Sequence, residues 1–248
     1  MINTDFSEFQ YGYAVLYELL NGSMFNFKDG SLFKMPNLRQ EAKVGYDLKI
    51  TAYRPFYFQF KVPEFMKLST ATEYNSFNSS YYRYDLRNKK NNFNSSQHNT
   101  LFNLTLDKRN RVYYVSPMFH TDTDFDNFFL NNKICSCSLF LNVKRIGKYK
   151  LDSDHRIGYT SKPHQVIKFS EPEIIEGSHH FDDFIKDIDD KEIIYDLNEY
   201  MTYLVEKYNI HVKQVSNDGV VYDTYRKIQE YFISNGIFFF LDEIVALN

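Results

Sequence analysis

Asp47, Gln59 and Lys61 fall within the stretch EAKVGYDLKITAYRPFYFQFKVP, residues 41–63, whose second half is dominated by Phe and Tyr. Oxygen donors such as the Asp47 carboxylate and the Gln59 amide carbonyl suit a hard divalent cation, Mg²⁺ or Mn²⁺, which screens a phosphate and lowers the pKa of an attacking water. An ammonium two residues beyond Gln59, at Lys61, would orient that water and stabilise charge developing on phosphorus. These are the groups that phosphodiester hydrolysis asks for. The same alternation is also what the polar side of a half-exposed sheet shows, so both readings stay open at this level.

The runs VGYDLKI and FYFQFKV read as two strands joined by TAYRP, whose Pro55 suits a turn. Side chains alternate faces along a strand, so Phe58, Phe60 and Val62 point one way and Gln59 and Lys61 the other. In the first run Tyr46, Leu48 and Ile50 take the packing side, and Asp47 falls opposite with Lys49. If the strands pair, Asp47, Gln59 and Lys61 share one face. The runs PFYF and VYYV read as strands covered on both sides, where a polar residue needs a reason.

Upstream, residues 8–21 predict a helix with Phe9, Tyr13, Leu16, Tyr17 and Leu20 as its apolar stripe, Glu18 opposite, and NGS as its stop. Downstream, residues 69–96 are polar and Asn-rich, a loop or a short strand with a loop. SSQHNTLFNLTLD then predicts a short helix, capped by Ser95 or Ser96 and buried through Leu101 and Leu104, with Gln97 at its start. RVYYVSPMFH reads as a strand, DTDFDNFFLNN as a helix with aspartates in its first turn, and KICSCSLFLNV as another strand. HRIGYT and QVIKFSEP are shorter strands. From about residue 180 the pattern turns helical: FDDFIKDI, YDLNEYMTYLVEKYN and YDTYRKIQEYFISNGIFFFLDEI.

Reduced to order, the first half reads helix, strand with Asp47, strand with Gln59 and Lys61, helix, strand. This resembles the core of the PD-(D/E)xK nuclease superfamily, the restriction-endonuclease-like fold, in which an Asp on one strand is followed on the next by an acid, any residue and Lys. GYD supplies the Asp at Asp47 and FQFK the Lys at Lys61. Gln59 replaces the middle acid, a QxK form similar to that of Mrr-like restriction nucleases, and removes one charged ligand. The likeness covers roughly residues 8–116. It implies an α/β restriction-endonuclease-like mixed sheet flanked by helices, a Mg²⁺- or Mn²⁺-dependent nuclease with DNA ahead of RNA as substrate, and a restriction or antiphage defence setting.

The resemblance also implies an upstream Glu and a polar residue on the helix that follows the Lys strand. Glu41 is preferred to Glu18 for the first, because six residues ahead of Asp47 in a continuous strand would put both on one face. Gln97 fits the second, in contact with substrate or a metal-bound water. The implied catalytic set is therefore Asp47, Gln59, Lys61, Glu41 and Gln97, with Asp47 and Gln59 as metal ligands. Arg39, Lys43, Lys49, Arg83 and Arg87 would hold the phosphate backbone, with Tyr81, Tyr82 and Tyr84 to stack on bases.

The chain of 248 residues is 43% hydrophobic and 25% charged, the make-up of a soluble globular protein. No apolar run reaches the roughly 18 residues of a membrane span. MINTDFSEFQ has neither the basic nor the apolar part of a secretion signal, so a cytoplasmic location is expected. Without an export signal the sequons NGS, NSS and NLT predict no glycan. Cys135 and Cys137, two apart in an expected strand, bridge poorly and lack further zinc ligands. His98, His120, His155, His179 and His180 show no helical metal spacing. The nine glycines form no phosphate loop, which disfavours a nucleotide hydrolase or a Rossmann enzyme.

Charge is uneven along the chain. Residues 34–90 hold 11 Lys or Arg against 5 Asp or Glu, residues 91–170 hold 11 against 6, and residues 171–248 hold 6 against 17. This pattern divides the chain into a nuclease-like α/β core, residues 1–170, and an acidic, mainly helical extension, residues 171–248. A locally basic body is compatible with a nucleic-acid ligand despite a net charge of -3. The alternative is a non-catalytic subunit with a degenerate nuclease fold that binds a partner protein, or another copy, through its acidic helices. In a third reading those helices imitate nucleic acid and occupy the basic groove.

Overall fold

The computed structural model describes residues 1–21, 32–36, 38–51, 55–67, 73–87, 97–108, 110–149, 154–161, 165–169, 172–177 and 179–186. In chain order the elements are α1 (Glu8–Asn21), β1 (Leu32–Lys34), α2 (Leu38–Val44), β2 (Leu48–Thr51), β3 (Pro55–Phe60), β4 (Glu64–Met66), α3 (Tyr74–Phe77), β5 (Tyr81–Arg87) and α4 (Gln97–Leu104). There follow β6 (Arg111–Pro117), α5 (Asp122–Leu130), β7 (Ser138–Asn142), α6 (Val143–Ile146), β8 (His155–Tyr159), β9 (Val166–Lys168), β10 (Glu173–Ile174) and α7 (Phe181–Lys186). The protein is mixed α/β, with two five-stranded sheets.

The first sheet runs β1-β2-β3-β6-β7, antiparallel except for the parallel pair β3 and β6. The second runs β10-β9-β8-β5-β4 and is antiparallel throughout. Strands covered on both faces need apolar residues at consecutive positions, and β3 and β6 have them. Phe56, Phe58, Phe60, Tyr113 and Val115 pack with Tyr11, Val15 and Leu19 of α1 in one cluster. Tyr57, Val112, Tyr114, Leu139 and Leu141 turn the other way, onto Leu101 of α4 and onto Tyr84, Ile157 and Tyr159 of the second sheet. Continuous aromatic runs in β3 and β6 thus follow from the burial of both faces.

α1 forms where its sequence predicts, but its buried stripe is different. Tyr11, Gly12, Ala14, Val15, Leu16, Glu18 and Leu19 are buried, whereas Phe9 is 74% and Tyr13 55% exposed. Small residues explain the rotation. A Cβ on Gly12 would come within 2.8 Å of the Phe60 ring, so only a glycine lets α1 lie this close to β3. Leu20 packs against the cluster, and Tyr17 rests on Phe129 at 5.4 Å between centroids.

Two further expectations are corrected. Cys135 and Cys137 lie in a turn ahead of β7, which begins at Ser138, because Glu18 draws the backbone N–H groups of Ile134 and Cys135 inward. Tyr46 packs against Tyr57 in the second cluster, not with Leu48 and Ile50, since it precedes β2 and has not entered the strand's alternation. The polar stretch 69–96 contributes α3 and β5 among its described residues.

Past residue 171, β10 pairs with β9 and Phe184 of α7 packs on Phe58, Tyr113 and Phe140. The described residues on that side of the expected boundary therefore lie against the body. Residues 187–248, with the two later helices expected there, fall outside the described residues. No helix among the described residues is long and apolar enough to cross a membrane.

Candidate functional site

Register brings Asp47 and Gln59 together. β2 and β3 pair Leu48 with Phe58, so one step back Asp47 stands across from Gln59, and the Asp47 N–H donates to Phe58 O at 2.9 Å. Directly opposed residues on one face of an antiparallel pair are the closest cross-strand neighbours. Gln59 Nε2 donates to Asp47 Oδ2 at 2.6 Å, and the Phe60 backbone N–H donates to the same oxygen at 2.7 Å. From the start of α4, Gln97 Nε2 donates to Gln59 Oε1 at 2.9 Å. Gln59 is fully buried, and both ends of its amide are satisfied.

Lys61 follows β3 on the same side as Gln59. Its N–H donates to Val115 O at 3.0 Å and its carbonyl accepts from Ser116 Oγ at 2.7 Å, so its backbone stays fixed to β6 past the end of the strand. Asp47 is delivered by a turn. α2 ends at Val44, and Gly45, at φ 80°, donates its N–H to Glu41 O at 2.7 Å. That conformation favours glycine.

Glu41 is therefore helical, because LRQEAKV closes as a short helix ahead of Gly45, and the continuous-strand argument for it is overturned. It still reaches the site through its charge. Burial first, then the charge of Glu8 and more weakly that of Glu41, push the Asp47 carboxyl up to about 8, against Lys61 and the Phe60 N–H. The Glu8 carboxyl is also raised, by burial and by Glu41, while Lys61 and a hydrogen bond from the Val62 backbone oppose. Three carboxylates and one ammonium, from α1, α2, the start of β2 and the end of β3, thus act on one another.

Glu8 was not singled out from the sequence. It opens α1 beside Ser7, whose Oγ accepts from the Gln10 N–H at 3.1 Å, and a first-turn acid there reads as an ordinary partner of the helix dipole. Glu18, the weaker of the two upstream acids in sequence, holds the turn ahead of β7 in place. Its two carboxylate oxygens accept from the Ile134 and Cys135 N–H groups at 2.7 and 2.8 Å.

The expected nucleic-acid contacts divide. Lys43 is exposed on α2, and Lys49 lies over the Tyr57 ring at 5.1 Å. Arg83 is drawn away, its guanidinium held by Glu64 at 2.6 Å and Glu73 at 3.2 Å on the second sheet. Tyr81, Tyr82 and Tyr84 are core residues and offer no stacking surface, because both faces of their strand are covered. The side chains of Arg39 and Arg87 lie outside the described residues.

Among the described residues no group of three or more His, Cys, Asp or Glu is arranged to hold a metal ion. The donor set itself gives a finer test. Asp47 Oδ2 already takes two N–H groups, which leaves Oδ1 as its ligand oxygen, and the raised Asp47 and Glu8 carboxyls are groups that a divalent cation would favour in their ionised form. Asp47 fits. Gln59 does not fit as a ligand in this arrangement, since its oxygen is taken by Gln97. No family model, curated protein or solved structure matches this chain.

Proposed function

We propose that this protein is a metal-dependent nuclease of the restriction-endonuclease-like class, with Asp47 and Lys61 at its centre and DNA ahead of RNA as substrate. The observation that carries the reading is the half-buried Asp47 carboxyl, held by the Phe60 N–H and by the amide of Gln59, two residues from Lys61, with burial and the charges of Glu8 and Glu41 pushing it above its ordinary range. A solvated sheet face gives no reason to gather three acids, one of them at such a desolvation cost, whereas perturbed carboxylates beside a lysine are common where chemistry is done. With β1 and α2 set between α1 and β2, and β4, α3 and β5 between β3 and α4, the order still includes an antiparallel β2 and β3, then α4 and a β6 parallel to β3, with α1 and α4 on opposite faces, which supports the same class.

A bound Mg²⁺ or Mn²⁺ would supply charge neutralisation at the phosphate and a more acidic water. Asp47 would hold it through Oδ1, with Glu8 and Glu41 adding negative charge around it. Lys61, whose backbone is pinned to β6, would bring its ammonium to the scissile phosphate. A restriction or antiphage defence setting comes from the resemblance alone.

The test is incubation of the purified protein with plasmid and linear DNA and with RNA, with and without Mg²⁺ or Mn²⁺. Cleavage that needs the cation and falls by about a hundredfold or more in Asp47→Ala and Lys61→Ala is the expected result. Unchanged cleavage in both variants removes the site, and no cleavage under any condition favours a non-catalytic subunit.

A further inference from the structure

We propose that Gln59 and Gln97 form an amide chain that positions Asp47, and that Gln59 is not itself a cation ligand. The inference rests on the reading of Asp47 as the cation-binding carboxylate. The polarity of the chain is set at one end. Gln59 Nε2 also donates to Phe60 O at 3.3 Å, and a carboxylate that holds a cation only accepts, so in that state Gln59 turns its nitrogen to Asp47 Oδ2 and its oxygen to Gln97, which answers with nitrogen. The Phe60 N–H fixes the same oxygen, Oδ2, from the backbone. One carboxylate oxygen is thereby immobilised by two donors, and the other is left for a ligand.

An acid at position 59 would bring a second carboxyl to within hydrogen-bond distance of Asp47 Oδ2, and the two could not both ionise there without a cation between them. A buried amide avoids that repulsion, which gives a physical reason for Gln at this place. The far end of the chain is anchored on a rigid element. His98, next to Gln97, lies within hydrogen-bond distance of Gly147 O at 2.7 Å and stacks on Tyr149 at 4.4 Å between centroids. Asn99 donates to Tyr149 O at 3.1 Å, one residue further on.

The two roles for Gln59 predict opposite effects of Gln97→Leu. If Gln59 were a ligand, removing Gln97 would free its oxygen, and Mn²⁺ would bind as well or better. If Gln59 positions Asp47, the same change leaves its oxygen unpaired and its amide free to turn, and Mn²⁺ affinity by calorimetry falls about tenfold. A second readout does not depend on cation binding or cleavage: hydrogen exchange of the Gln59 side-chain NH₂ in ¹⁵N-labelled protein. It is slow in the wild type and at least about tenfold faster in Gln97→Leu, with unchanged unfolding temperature showing that the fold persists.

Equal protection of the Gln59 amide in both proteins overturns the proposal, as does equal or tighter Mn²⁺ binding by the variant. If the wild type binds no Mn²⁺, the reading of the site as a metal centre fails, and amide exchange alone then decides whether the chain positions Asp47.

Discussion

At the scale of single residues, the chemistry centres on Asp47, and its titration has a testable sign. Its carboxyl is raised to about 8 in the folded protein, first by burial and then by Glu8. An unfolded Asp titrates at about 3.9. Between those values the folded state binds the extra proton, so this group's contribution to stability is fully present below about pH 4 and is lost as pH rises through about 8. Asp47→Asn removes that loss. Chemical denaturation from pH 5 to pH 9 should show the variant gaining stability relative to the wild type as pH rises; a constant difference would show that Asp47 titrates normally. The meeting of Asp47 with Gln59 was legible in the sequence because a tight strand pair is a local fact. Glu8 was not, since nothing near position 8 says that the start of α1 meets the end of β3. Arg83 looked free for the same reason: its partners Glu64 and Glu73 sit on β4 and just ahead of α3.

At the scale of elements, the turn between α2 and β2 sets the site's shape. Gly45 sits at φ 80°, and a Cβ there would stand 3.2 Å from Gln97 O, at the start of α4. Gly45→Ala should therefore cost about 1–2 kcal/mol in denaturant unfolding from the left-handed conformation alone. It should also press on the helix that carries Gln97. A variant as stable as the wild type would mean that the turn is not held in this conformation. The strands β2, β3 and β6 and the helices α1, α4 and α5 were readable from pattern, while Ser95 and Ser96, expected to cap α4, lie outside the described residues. Which side of α1 faces inward was not, because two stripes overlap on it and hydrophobicity favours the aromatic one, whereas close packing against Phe60 selects the one with Gly12 and Ala14. The extended assignment around Glu41 failed in a related way: seven residues ended by glycine carry little periodicity, and a helix and a strand look alike over that length.

At the scale of the whole molecule, the first sheet is covered on one face by α1 and α7 and on the other by α4 and the second sheet, which is what lets a wholly buried Gln59 be held from two sides. The second sheet was visible in the sequence only as separate short strands. Its pairings join residues far apart, such as Arg83 with Gly158, and no local pattern records them. The same distance applies to the central claim, that α1, α2, β2 and β3 bring their charges to one place for a divalent cation. A crystal soaked in Mn²⁺ and measured for anomalous scattering tests it most directly. A peak is expected about 2.1 Å from Asp47 Oδ1 and not at Gln59 Oε1. A peak on Gln59 Oε1, or no peak near Asp47 in a crystal saturated with Mn²⁺, would contradict it.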